Sequence, residues 1–183
     1  MSVARRAFLQ SAASLLPAGA LHDLLAQTAP PAPAVHPVGA GQDRLGSPHS
    51  LGVSSLAFKV LTADTGGNLF VIEHSHLVPG GPPLHLHLNQ DEWFYVMEGR
   101  VAFQVRGQSL ELGPGESVLG PRRVPHAFSS IAPQSRMLIA FTPAGKMEQF
   151  FLDGEPNPAL AMTPEFMGRY EMQWLGPSPF HKS

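Results

Sequence analysis

Residues 92–106 read Glu92-Trp93-Phe94-Tyr95-Val96-Met97-Glu98-Gly99-Arg100-Val101-Ala102-Phe103-Gln104-Val105-Arg106. Side chains alternate between the two faces of an extended strand. Glu92, Phe94 and Val96 therefore share one face of the first half, and Val101, Phe103 and Val105 share one face of the second. Both segments have a definite inside, and Glu98-Gly99 between them reads as a tight hairpin turn.

The same period extends outward from this stretch. From about Ser54 onward, apolar alternation is punctuated by Gly or Pro roughly every 8 to 12 residues, the pattern of a closed or sandwiched all-β domain. Strands are expected at Ser55–Thr62, Asn68–Val78, Leu110–Leu112, Ser117–Leu119, His126–Ser129 and Arg136–Phe141. Lys146–Phe151 reads as a short helix. Thr163-Pro164 offers an N-cap and a first-turn proline for another, running to about Trp174. Both helices are expected as outer packing.

The composition agrees. Of 183 residues, 18 are Gly and 19 Pro, while charged residues make up 14% against a usual share of roughly a quarter. The formal net charge is −2, with no block of like charges, so nothing points to nucleic acid or an anionic membrane. A small molecule is the expected partner. There is no cysteine, which leaves histidine and carboxylate as the strong metal ligands.

His85-Leu86-His87 follows Gly80-Gly81-Pro82-Pro83 in a strand-like context, so both imidazoles point to one face and can meet one ion. Glu92 opens the next apolar segment with Phe94 and Val96 beside it. His126 follows Pro121-Arg122-Arg123-Val124-Pro125, whose prolines restrict the turn and deliver the histidine at a strand start. His85, His87, Glu92 and His126 are thus the expected ligands of one divalent transition-metal ion. Phe94 and Phe128, each two residues after a ligand, are the expected pocket wall. His74 and His76 form a second His-x-His pair, read as pocket polar groups rather than a second metal site because no carboxylate or third histidine lies at a recognisable spacing. Arg122 and Arg123 are read as solvated rather than as an anion clamp.

At these positions the sequence resembles the cupin superfamily. Gly80 to His87, then Glu92 and Gly99, match the spacing of the first cupin motif; Gly115, Pro121 and His126 resemble the second, although Arg123 and Ser130 stand where that motif usually has Gly and often Asn. The resemblance covers about residues 54–176 and is strongest toward bacterial single-domain cupins resembling quercetin 2,3-dioxygenase, including Ala144 to Phe151 and the late Leu175-Gly176-Pro177. It implies an all-β, single-domain jelly-roll barrel (a double-stranded β-helix) with short C-terminal helices. It also implies one bound ion of Fe, Mn, Ni, Co or Cu, with one or two coordination positions open. The implied activity is a dioxygenase that cleaves a phenolic or enolic substrate with O2, Glu92 acting as ligand and proton acceptor. A non-catalytic exported binding cupin and a cupin isomerase are the alternatives, because a fold does not fix a reaction.

Residues 4–10, Ala-Arg-Arg-Ala-Phe-Leu-Gln, precede a short apolar stretch and resemble a twin-arginine export signal. The stretch is broken by Pro17 and Gly19 and is too short for a membrane span, which needs about 20 residues. The expected organisation is a signal peptide over 1–29, a linker and N-terminal arm over 30–53, the barrel with its helices over 54–176, and a tail over 177–183. Export implies a periplasmic or extracellular protein, free of the membrane after signal cleavage. Pairing through sheet edges and residues 40–54 would make it a homodimer.

Overall fold

A computed structural model describes residues 35–52 and 54–180. The expected signal peptide lies outside the described residues. The chain divides into two units, Met1–Pro37 and Val38–Ser183; residues 35–37 of the first are irregular, and the second is the barrel. Among the described residues no helix is long and apolar enough to cross a membrane.

Among the described residues, eleven strands form two antiparallel sheets. They are β1 (His49–Ser50), β2 (Ser55–Val60), β3 (Phe70–Ser75), β4 (Leu84–His87), β5 (Asp91–Glu98), β6 (Val101–Val105), β7 (Gln108–Leu112), β8 (Ser117–Gly120), β9 (His126–Ser130), β10 (Arg136–Thr142) and β11 (Met172–Gly176). One sheet runs β1-β2-β3-β10-β5-β8 and the other β11-β4-β9-β6-β7. Three short helices, α1 (Met147–Gly154), α2 (Pro158–Ala161) and α3 (Pro164–Arg169), stand between β10 and β11. The inner faces meet over aromatic rings: Phe94 of one sheet lies 5.1 Å from Phe103 and 5.5 Å from Phe128 of the other, centroid to centroid. These are ordinary edge and tilted ring contacts of a packed sandwich.

Parity holds along the deciding stretch. Glu92, Phe94 and Val96 are buried while Trp93 is exposed, and Val101 and Phe103 are buried on β6. The turn between them is not a hairpin. β5 pairs with β10 and β8, whereas β6 pairs with β7 and β9, so the chain crosses from one sheet to the other at Gly99-Arg100. Local alternation is the same for a hairpin and for a corner between sheets, because only pairing partners distinguish them. The corner demands Gly99: its φ is +75°, and a Cβ there would stand 2.2 Å from the Gln134 carbonyl oxygen. The true hairpin joins β6 to β7, with Arg106 at φ 51° and Gly107 at φ 76° between them, the doubly left-handed turn that suits twisted strands.

Two other boundaries differ from expectation. The strand expected through Val78 stops at Ser75, because His76 takes a left-handed φ of 54° and turns the chain outward. The helix beginning at Thr163, whose hydroxyl accepts from the Phe166 N–H at 3.3 Å, ends at Arg169. Glu171, at φ 63°, reverses the chain into β11, which pairs Met172 with His87 and Trp174 with His85. Backbone pairing along the ligand strand thus takes residues that could equally have extended a helix.

Candidate metal centre

Both sheets contribute to one buried cluster. β4 supplies His85 and His87, β9 supplies His126 directly opposite His85 in register, and β5 of the facing sheet supplies Glu92. One donor atom from each of the four lies within 4.8 Å of the others, and all four residues are buried, at 1–5% exposure. The imidazole centroids are 4.7 Å (His85–His126), 5.2 Å (His85–His87) and 5.5 Å (His87–His126) apart.

The turns that precede two of these histidines also orient them. His85 Nδ1 lies 2.8 Å from the Pro83 carbonyl, and His126 Nδ1 lies 2.9 Å from the Val124 carbonyl. A carbonyl can only accept, so Nδ1 carries the hydrogen in both rings and Nε2 is the free nitrogen turned inward, the arrangement found where histidine binds metal. Glu92 Oε2 sits 2.8 Å from His126 Nε2 and 2.9 Å from His87 Nε2. In a neutral His126 a lone pair would face a carboxylate oxygen at that distance, so a proton or a cation must lie between them. The donor set therefore fits a divalent ion of the first transition row, and softer thiolate sites are excluded by composition.

Electrostatics describe the same cluster with protons in place of an ion. Burial pushes His85 down to about 3, aided by the neighbouring His126 and His87 and opposed by Glu92. Burial raises the Glu92 carboxyl, but hydrogen bonds from His126 and His87 overcome it and hold the group well below the usual carboxylate range. His126 shows the converse: burial lowers it, and the Glu92 bond and charge bring it above the ordinary imidazole value.

His85, His87 and Glu92 open onto a cavity of about 50 Å³. Its roof comes from the C-terminal helices. Met147, Phe150 and Phe151 of α1, Met162 at the end of α2, and Met167 of α3 all line it, so these helices form part of the cavity wall rather than merely coat the barrel's outside. Their i, i+3, i+4 spacing in α1 was legible as an apolar face; its destination was not.

Of the two aromatic residues expected in the pocket wall, Phe128 lines the cavity. Phe94 is fully buried and packs behind the ligands, 5.9 Å from His126. The second His-x-His pair separates: His74 lines the cavity while His76 is exposed on the turn. Arg122 forms a two-pronged pair with Asp91, at 3.1 and 2.8 Å, on the outer surface. Arg123 donates its backbone N–H to the His87 carbonyl at 2.6 Å. Neither arginine lines the cavity.

Comparison with known proteins follows the same outline. Residues 73–141, from β3 to β10, match the cupin domain family, and the segment contains all four clustered residues. No curated protein matches the chain. Among solved structures, it resembles an RmlC-like cupin from Shewanella frigidimarina at 18% identity and a TM-score of 0.53, over 63% of this chain and 96% of that one. It also resembles KdgF from Halomonas sp. at 17% identity and a TM-score of 0.51, over 61% and 94%. At such identities the likeness is one of fold. Residues 73–141 thus match the cupin domain model, and the two-sheet fold is cupin-like, with a buried three-histidine, one-glutamate cluster of the kind typical of cupin metal sites.

Proposed function

We propose that the protein is an exported, metal-dependent cupin dioxygenase that cleaves a small phenolic or enolic substrate, quercetin-like in its chemistry, with O2. The observation that carries this reading is the meeting of four buried donors with an almost wholly apolar cavity. A bound divalent Fe, Mn, Ni, Co or Cu ion would supply Lewis acidity and open coordination positions for substrate oxygen and O2. His85, His87 and His126 would hold the ion through nitrogen. Glu92 completes the set and, being anionic at neutral pH, is in the form that both binds a cation and accepts the substrate hydroxyl proton at Oε2. The α1–α3 roof excludes water from the reacting atoms. Among the described residues no lysine or arginine lines the cavity, which favours an uncharged aromatic substrate over a sugar phosphate.

The reading extends to export by the twin-arginine route and to a homodimer paired through sheet edges and residues 40–54. The decisive experiment measures metal content and oxygen uptake of metal-reconstituted protein against a panel of flavonols and other enediols. Stoichiometric metal and substrate-dependent uptake are expected, and His85→Ala/His87→Ala is expected to lose both. Undiminished metal in that variant would refute the ligand set. Metal and ligand retained without any uptake would instead favour a binding protein.

A further inference from the structure

His74 is a buried histidine outside the metal ligand set, and half of its hydrogen-bonding capacity is unused. It is 5% exposed on β3, and its Nδ1 is tied to Ser54 Oγ at 3.1 Å. Its Nε2 is buried with no hydrogen-bond partner. A histidine that merely fills a core has both ring nitrogens satisfied, because leaving one bare sacrifices its hydration. The ring does not sit in solid core either. It lines the same cavity as His85, His87 and Glu92, with its centroid 5.9 Å from Phe128 and 6.4 Å from Phe151, two further walls of that cavity. Among the described residues, His74 is the one residue in the lining beyond the metal ligands with a polar side chain; the rest is Leu, Pro, Ile, Phe and Met.

We infer that His74 Nε2 is the second polar anchor of the cavity, hydrogen-bonding an uncharged hydroxyl or carbonyl oxygen at the far end of a ring-shaped ligand whose near end is held at the His/Glu centre. The inference rests on the metal reading and adds to it the polarity pattern of the substrate: an enolic or phenolic oxygen at one end, an apolar ring between, and one neutral oxygen at the other. A charged far end is disfavoured, since no lining side chain among the described residues would pair it. The cavity volume, about 50 Å³, is smaller than such a ring. The roof that must yield is built largely of methionine, whose three rotatable bonds let it repack at little cost.

Two hydroxypyranones test the idea on cobalt-loaded protein. 5-Hydroxy-2-(hydroxymethyl)-4-pyranone and 5-hydroxy-2-methyl-4-pyranone share a chelating end and differ by one hydroxyl at the opposite end. Calorimetric titration is expected to show the native protein preferring the hydroxymethyl compound by about tenfold, the size of one hydrogen bond to an otherwise bare buried nitrogen. His74→Phe is expected to keep its cobalt and bind both equally, and His74→Gln to restore part of the preference. His74→Leu serves the same purpose should the phenylalanine variant not fold. No preference in the native protein, or a preference that survives in His74→Phe or His74→Leu, overturns the proposal with the metal reading intact. Native protein that holds no cobalt overturns the metal reading and this inference together.

Discussion

The burial of His74 has a measurable consequence for acid stability. Burial pushes this imidazole down from 6.5 to about 3, with the Glu92 charge opposing only in part. Its folded value thus lies below its unfolded one. The stability it permits is fully present above pH 6.5 and is lost as pH falls toward 3, because the unfolded chain takes up a proton that the folded one refuses. Each pH step below 6.5 removes about 1.4 kcal/mol, so by pH 5 the loss traceable to His74 is about 2 kcal/mol, a sizeable part of a typical 5–15 kcal/mol domain stability. His85 acts in the same direction and His126 in the opposite one, so the native pH profile alone does not isolate His74. Comparison with His74→Phe does, since both ligand histidines are common to the two proteins. The substitution also leaves Ser54 Oγ without its partner, an offset of about 1–3 kcal/mol that does not vary with pH. Urea unfolding in chelator at pH 7.5, 6 and 5 is expected to give a shallower pH dependence for His74→Phe, the two curves closing by about 2 kcal/mol at pH 5. Parallel curves would show that His74 is protonated as easily inside the barrel as outside, and would refute the burial argument.

Three further outcomes are expected. Gly81→Ala, at φ +62°, would bring a Cβ to 1.7 Å from the Phe128 carbonyl oxygen; with backbone on both sides of the clash, a loss of more than about 3 kcal/mol is expected in chemical denaturation. Glu92→Gln is expected to lower turnover by about 100-fold or more while substrate binding changes by less than about threefold; equal losses in steady-state kinetics and equilibrium binding would count against its proton-accepting role. Arg122→Ala is expected to leave metal content and ligand affinity unchanged, because its guanidinium is engaged by Asp91 outside the cavity; weakened binding of an anionic ligand in that variant would reinstate the clamp reading.

What could be read from the chain follows a physical division. The ligand cluster was legible because its determinants are local: two histidines at period 2, a glutamate on the apolar face of the next strand, and a proline-framed turn delivering His126. Pairing partners were not local, so the corner at Gly99 looked like a hairpin. Met172–Trp174, the first part of β11, looked like the end of a helix for the same reason. His74 was hidden differently. It shares parity with Phe70 and Ile72, which marks it as inward, but whether an inward histidine is satisfied depends on Ser54, twenty residues away, and on which wall of the barrel stays hollow.

Arg123 shows how a departure from a motif becomes intelligible only in three dimensions. The cupin pattern usually has glycine there, and the backbone at Arg123 takes a left-handed φ of 62°, which costs a side-chain-bearing residue about 1–2 kcal/mol. The turn keeps this shape because it is fastened to the ligand strand. The Arg123 N–H donates to the His87 carbonyl, and its Nε donates to the Leu88 carbonyl at 3.2 Å. The second bond is available to arginine and not to glycine, so the substitution offsets part of its own strain at the residue that follows a ligand. The turn leads two residues later into Pro125 and His126, so the same contacts tie the delivery of the third histidine to the strand carrying the first two. A ligand set drawn from both ends of this turn can therefore keep its geometry without the motif glycine.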